Sequence, residues 1–347
     1  MEANKHNPLR RFFSIRGMGS AMIAFAALIV IYVAFGIREP TVFSTNNILN
    51  LLRSMSKYLL IGIGQSYLLI TGNIDLSIGS VVGMSAMISA TLMTGGVTPV
   101  LAALITLVLC LVIGLINGFL VGKCKLPPFI ATLGTMFVAR GIGYLVNNNR
   151  NTSSISSGIG KGAADSFQNF FYYGKTFGVY NTFWVALVIF ICLFFLLSKT
   201  RSGRHIYAIG SNVEAAKLSG VSVFATTAKA YMVSAFCSFV VGLILCAQAS
   251  MGNMEAGNTY EMYGVAAGVI GGISPLGGTG LLLGAFAGAA VWQTLENGLI
   301  MIQAPIGWQR IAIGVIVVFC ALLDVIVRQG TLGKRRAIQK KTETANL

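Results

Sequence analysis

Few side chains in this 347-residue sequence are placed to do chemistry, and they do not add up to a reaction centre. His6 and His205 are the only histidines, too few for a histidine-based metal site. The six cysteines (Cys110, Cys124, Cys192, Cys237, Cys246, Cys320) lie in or beside apolar runs without CxxC spacing and read as inert small hydrophobes. Gly174-Lys175-Thr176 ends like a phosphate-binding loop, but Asn169 stands where GxxxxGK[ST] needs glycine. Ser54-x-x-Lys57 fits SxxK, a spacing common by chance and here without its companion motifs. The sequence holds no HExxH, GxSxG or carboxylate-pair constellation. No catalytic residue, metal or cofactor is expected on this chain.

What remains is polar chemistry set into apolar runs. Asn117, Gln248, Gln293 and Asn297 have the amide donors and acceptors that a polyol would use, although interhelical hydrogen bonding is their more ordinary role. Arg140 and Glu296 lie deep within apolar segments, where ionisable groups are costly and mark function by default. They either pair with each other or line a polar path. Asp75, Glu261, Arg310 and Asp324 fall near segment ends and read as interfacial. Phe129 follows Pro127-Pro128 at the start of an apolar run, where proline suits a first helical turn.

The elements that must carry these residues are membrane helices. With 55% hydrophobic and only 10% charged residues, and a mean hydropathy of +0.77, the chain is far below the ~25% charge of a soluble domain. At about 20 apolar residues per span, ten spans emerge: 18–36, 51–71, 76–95, 98–121, 128–146, 181–198, 229–250, 262–273, 281–300 and 307–326. The first lacks a small-residue cleavage site and reads as a span rather than a cleaved leader. The eighth is short and Gly-rich, as a broken or re-entrant segment would be. The fold class is therefore all-α, a polytopic membrane protein of about ten helices.

Charge sets the orientation. With both termini inside, the inner segments hold 17 Lys and Arg, and the outer segments hold seven. The net charge of +15 is thus explained by topology and needs no nucleic acid. This divides the chain into a cytoplasmic tail 1–17, a transmembrane domain 18–326 and a basic cytoplasmic tail 327–347. Five spans on each side of outer loop 147–180 must run in opposite senses, which suggests inverted halves. GNIDLSIGS at 72–80 and GGISPLGGTG at 271–280 look alike, but both fall inside and do not correspond under such a repeat. The glycine pairs Gly79/Gly83, Gly114/Gly118, Gly264/Gly268 and Gly284/Gly288 predict tight helix crossings and offer a homodimer face. Loop 147–180 reads either as a solvated connection or as a docking surface for an extracytoplasmic partner.

One inner loop, 199–228, is too long and polar to be a mere turn. Ser211-x-x-Glu214 has capping-box spacing, Val213, Ala215, Ala216 and Leu218 favour a helix of about two turns, and Gly220 is a natural stop. So short a helix is marginal unless it rests on something. A multi-span chain without hydrolytic motifs needs either an ion gradient or a separate motor, and this loop offers the motor a grip.

Four stretches carry a resemblance: TGNIDLSIGS at 71–80, PPFIATLGTMFVARG at 127–141, TRSGRHIYAIGSNVEAAKLSGV at 200–221 and GVIGGISPLGGTG at 268–280. In these the chain resembles the permease subunit of a bacterial ABC sugar importer, in the ribose, galactose and xylose branch (the carbohydrate uptake type 2 family). The resemblance implies a multi-pass protein of the bacterial cytoplasmic membrane, working as a homodimer or heterodimer of permeases. Two cytoplasmic ATPase subunits, which bind ATP and Mg²⁺, and an extracytoplasmic sugar-binding protein complete the system. Ser211, Asn212, Glu214, Ala215, Ala216, Lys217, Leu218 and Gly220 would form the coupling helix. Asn117, Phe129, Arg140, Gln293, Glu296 and Asn297 would line the translocation path, and loops 147–180 and 251–261 would meet the binding protein. The sugar stays open. The alternative is an ion-coupled secondary carrier using Asp75, Arg140 and Glu296.

Overall fold

The structure is a computed structural model that describes residues 18–309 and positions 311, 312, 314, 315, 318 and 322. The two tails, His6, Arg310, Cys320, Asp324 and most of span 307–326 lie outside the described residues. Nine membrane helices are found among the described residues: α1 Met18–Arg38, α2 Thr45–Ile70, α3 Ile78–Thr94, α4 Pro99–Gly122, α5 Pro128–Leu145, α6 Asn181–Lys199, α7 Val223–Ala249, α8 Tyr260–Ile270 and α9 Leu282–Met301. Most ends lie within two residues of the hydropathy boundaries. The exceptions are the starts of α2 and α7, six residues earlier than expected, and the end of α8, three residues earlier. α2 opens on the polar turn Thr45-Asn46-Asn47, which hydropathy discounts, and α2 and α7 are each capped by serine: Ser44 Oγ accepts from Asn47 N and Ser222 Oγ from Ala225 N, each at 3.3 Å.

Apolar length alone does not decide which helix faces lipid. Of the five helices long and apolar enough to cross a bilayer, α1, α4, α5 and α6 have only 17–28% of their apolar window buried, whereas α7 has 78%. These four form an outer ring, while α2, α3, α7, α8 and α9 make the core. Helices wrapped by other helices need small residues more than greasy ones, because lipid supplies no hydrophobic drive for association. The four glycine pairs meet that need. A Cβ on Gly83 would stand 2.6 Å from Ala256 O, on Gly114 2.8 Å from Ala235 Cβ, and on Gly264 2.8 Å from Ile61 Cγ2. Gly284 and Gly288 lie against the backbone of Gly271 and Ala267. All four pairs are used in crossings within the chain, so the homodimer face expected of them is not there.

The halves do run in opposite senses, and the core shows how. α2–α3–α4 and α7–α8–α9 share one build: a long helix of 26 or 27 residues, a non-helical re-entry (71–77 or 250–259), a shorter helix of 17 or 11 residues, and a return helix. α2 packs on α7 and on α8 and α9 of the other half, and α7 packs likewise on α3 and α4. The counterpart of 71–77 is therefore 250–259, on the outer side, and not 271–280. α8 spans only about 16 Å at ~1.5 Å per residue, roughly half the hydrocarbon core. It starts beside Tyr58, midway along α2, and ends level with Leu69.

Outer loop 147–180 is folded. Short helices Ser156–Ile159 and Lys161–Gln168, a π turn and a two-residue antiparallel ladder (Lys175 with Tyr180, Thr176 with Val179) lie over the outer ends of α2 and α7. The Arg53 guanidinium lies 4.5 Å from the Tyr172 ring and 4.1 Å from the Tyr180 ring. Gln168 Nε2 donates to Ala247 O at 3.1 Å and Tyr173 Oη to Gln248 O at 3.0 Å.

Candidate coupling surface and polar sites of the membrane domain

Loop 199–228, expected on the cytoplasmic side, holds two helices rather than one. Arg201–Ser211 is capped by Thr200, whose Oγ1 accepts from Gly203 N at 3.3 Å, and it buries Gly203, Ile206 and Ile209 at three-residue spacing. Tyr207 Oη donates to Gly280 O at 2.7 Å, and Gly210 presses on Ile70 O, where no side chain fits. Gly278 N donates to Ile70 O at 2.8 Å. This first helix is thus clamped to the inner end of α2 and to the α8–α9 turn.

The second helix, Val213–Leu218, is the one expected, with a different cap. Asn212 breaks the chain in extended geometry and its Oδ1 accepts from Ala215 N at 2.9 Å. Ser211 ends the preceding helix and does not form the capping box with Glu214, because its backbone is still helical there. Gly220 ends the unit at φ +78°, a left-handed geometry that suits glycine. Only Ala216 is buried; Glu214, Ala215 and Lys217 are exposed, and Leu218 is 89% exposed. Sequence reading missed that Leu276, 84% exposed, stands on the neighbouring turn. There Gly277 and Gly278, both at positive φ, pack against Gly210 and Ser211.

Within the membrane, the expected residues separate. Asp75 is not interfacial. It is 3% exposed and accepts from Ser77 N, Ser77 Oγ and Ser234 Oγ. Asn117 Nδ2 donates to Ser77 Oγ at 2.9 Å and its Oδ1 accepts from Thr135 Oγ1 at 2.7 Å. Thr132 Oγ1 accepts from Leu76 N, and Tyr231 Oη donates to Ile74 O. This closed network holds the 71–77 re-entry between α4, α5 and α7, and Asn117 is occupied in it.

Arg140 and Glu296 do not pair. Arg140 Nη1 donates to Met254 O at 3.2 Å and Ala256 O at 2.9 Å, pinning the outer re-entry against Gly83. Glu261 is half-buried against Gly79, deeper than an interfacial residue. Glu296 Oε2 accepts from Tyr58 Oη at 2.7 Å, and Tyr58 is ringed by Tyr260, Tyr263 and Trp292. Asn297 exchanges hydrogen bonds with Asn47 at 3.0 and 3.1 Å. Gln293 is buried on the Glu296 face of α9, and Phe129 is exposed on α5.

A cleft of about 410 Å³ opens among α2, α3, α7 and the 251–259 segment, on the side that charge counting assigns to the outside. Its polar lining is Lys57, Gln248, Asn253, Glu255, Asn258 and Tyr260, with Lys57 Nζ donating to Gln248 Oε1 at 3.3 Å. None of the expected path residues lines it. Gln248 alone was legible as a polyol-binding amide, and the others come together only through the re-entry.

A helical membrane bundle with an outward polar cleft and an ordered cytoplasmic helix pair is the build of a transport permease. Residues 47–321 match the family described as "Branched-chain amino acid transport system / permease component". The chain is 34% identical to the ribose import permease protein of Bacillus subtilis (strain 168) over 86% of this chain and 91% of that one. It is 33% identical to the D-allose transport system permease protein of Escherichia coli (strain K12) over 87% and 91%, respectively. With the galactose/methyl galactoside import permease protein of the same strain the values are 34%, 86% and 92%. No solved structure gives a significant match. The chain therefore belongs to this permease family, in the branch of ABC sugar importers that its motifs resemble. Its place is the bacterial cytoplasmic membrane, which it crosses many times.

Proposed function

We propose that this chain is the transmembrane subunit of an ATP-driven importer that moves a monosaccharide of the ribose, allose or galactose kind into the cytoplasm by alternating access. The carrying observation is the helix Val213–Leu218, which presents Glu214, Lys217 and Leu218 to the cytoplasm while its neighbour is clamped to α2 and the α8–α9 turn. A separate ATPase subunit, holding ATP and Mg²⁺, grips this surface together with Leu276. Its closure shifts the clamped elements as a rigid body. A second permease copy, identical or homologous, completes the pore. The folded outer loop, with Phe177 92% exposed at its tip, and the 251–261 segment receive the sugar-binding protein.

The test is sugar uptake by vesicles holding permease, ATPase and binding protein. Glu214→Arg and Ala216→Pro should each abolish ATP-dependent uptake while membrane insertion stays intact; uptake unchanged by both variants would sink the coupling role. Uptake driven by an ion gradient, without ATP or partner, would favour the secondary-carrier reading instead.

A further inference from the structure

Helix α1 is only partly joined to the rest of the fold. It packs along α9, but it meets α2 mainly through the turn Pro40–Phe43 that links the two. Tyr32 ties that turn down: its Oη donates to Val42 O at 3.1 Å, and its ring stands edge-on to Phe43 with centroids 5.3 Å apart. Beyond the turn α1 and α2 diverge, and a groove of about 390 Å³ opens between them. Leu28 and Tyr32 form one wall, Leu52 and Met55 the other, and Phe286 and Ala290 of α9 the floor. Met55 and Ala290 are buried, whereas Ile29, Val33 and Ile48 are exposed along the rim.

Size and polarity select the occupant. An ordered water needs about two to four polar partners. The lining offers only two side-chain hydroxyls: Tyr32 Oη is turned to Val42 O, and Thr294 Oγ1 is buried without a partner. Water and polar solutes are therefore excluded. A helix from a second copy does not fit, since two turns about 10 Å across and ~11 Å long fill roughly 900 Å³. An unfilled groove would forfeit the dispersion contacts of its wall atoms. A hydrocarbon chain meets every condition: it is slender, it asks for no hydrogen bond, and the bilayer around the protein supplies it along the apolar rim. We propose that the groove is a lipid site, holding one acyl chain of a membrane phospholipid as a wedge between α1 and α2. The site is walled by three helices, which sets it apart from the open lipid-facing surface of the outer ring. The wedge completes the packing of α1. The inference rests on the membrane location and is independent of the solute carried.

Photo-crosslinking in the assembled importer tests this. p-Benzoylphenylalanine replaces Ile48 at the rim or, for comparison, Val108 on the exposed face of α4. The complex is extracted from vesicles of phosphatidylethanolamine and phosphatidylglycerol, washed in detergent, irradiated and read by mass spectrometry. Phospholipid adducts should persist at position 48 and be lost at position 108. Adducts lost equally at both positions overturn the proposal, because the groove then holds lipid no better than an open surface. A chain-to-chain adduct at position 48 also overturns it and gives the groove to a second permease copy. Filling the groove is an independent measurement. Ala290→Phe, projecting from the floor, should raise the melting temperature of the delipidated full-length permease. It should also abolish the further rise that added phosphatidylethanolamine gives the wild type, a rise that Val108→Phe should keep. A wild type that shows no rise, or an Ala290→Phe protein that keeps it in full, overturns the proposal. If Ala290→Phe does not assemble, the adducts at positions 48 and 108 decide.

Discussion

Asp75 gathers three donors onto one buried carboxylate: the amide and hydroxyl of Ser77 and the hydroxyl of Ser234. Truncating it strands all three, where each unsatisfied buried group costs about 1–3 kcal/mol. Asp75→Ala should therefore lower the melting temperature of the purified protein in detergent, with Asp75→Asn recovering part of the loss. An unchanged melting temperature for Asp75→Ala would mean that the network does not hold the re-entry. Asn212 makes a parallel case outside the membrane. Removing an N-cap side chain costs about 1 kcal/mol of helix stability, so Asn212→Ala should uncouple ATP hydrolysis from uptake more than Ser211→Ala does. The reverse order would restore the capping box that the sequence spacing suggests.

At the scale of elements, glycines with the same helical setting differ in what they face. Gly288 lies against the Ala267 carbonyl and the Gly271 amide where α9 crosses α8, whereas Gly134 on α5 has nothing within 4 Å of a built Cβ. Gly134→Ala should stabilise its helix by up to about 1 kcal/mol from propensity alone. Gly288→Ala should destabilise by about 1–3 kcal/mol, because the crossing has to open. Thermal denaturation of the two variants side by side checks the pair, and equal shifts would contradict the tight crossing. The same crossing explains why α8 can be half a span. α2 and α9 pack along it and bury its residues from Ala266 to Ile270, whereas Met262 in its first turn stays exposed.

For the whole molecule, the cytoplasmic surface combines parts distant in sequence. Leu218 and Leu276 are exposed on two loops joined through Gly210, Ser211, Gly277 and Gly278. If one ATPase subunit covers both, Leu218→Asp and Leu276→Asp should each reduce ATP-dependent uptake without loss of membrane insertion. The double variant should be less damaging than the product of the two, as expected for residues sharing one partner. Independent effects would assign Leu276 to some other role.

The spans were legible in the sequence because a helix in lipid must satisfy its own backbone and be apolar over a fixed length. The sidedness is an expectation of the sequence, resting on Lys and Arg collecting on one side. Gly220 and the short cytoplasmic helix were legible because capping and stop signals are local. The pairing of polar groups was not. Arg140 meets carbonyls more than a hundred residues away, Asp75 meets Ser234, and Glu296 meets Tyr58. These partners are chosen by how helices cross and where two re-entries fold back, and periodicity along one helix carries no record of the helix opposite. Only the tertiary structure, therefore, separated the polar residues that hold the fold from those left unpaired along α2 and α9.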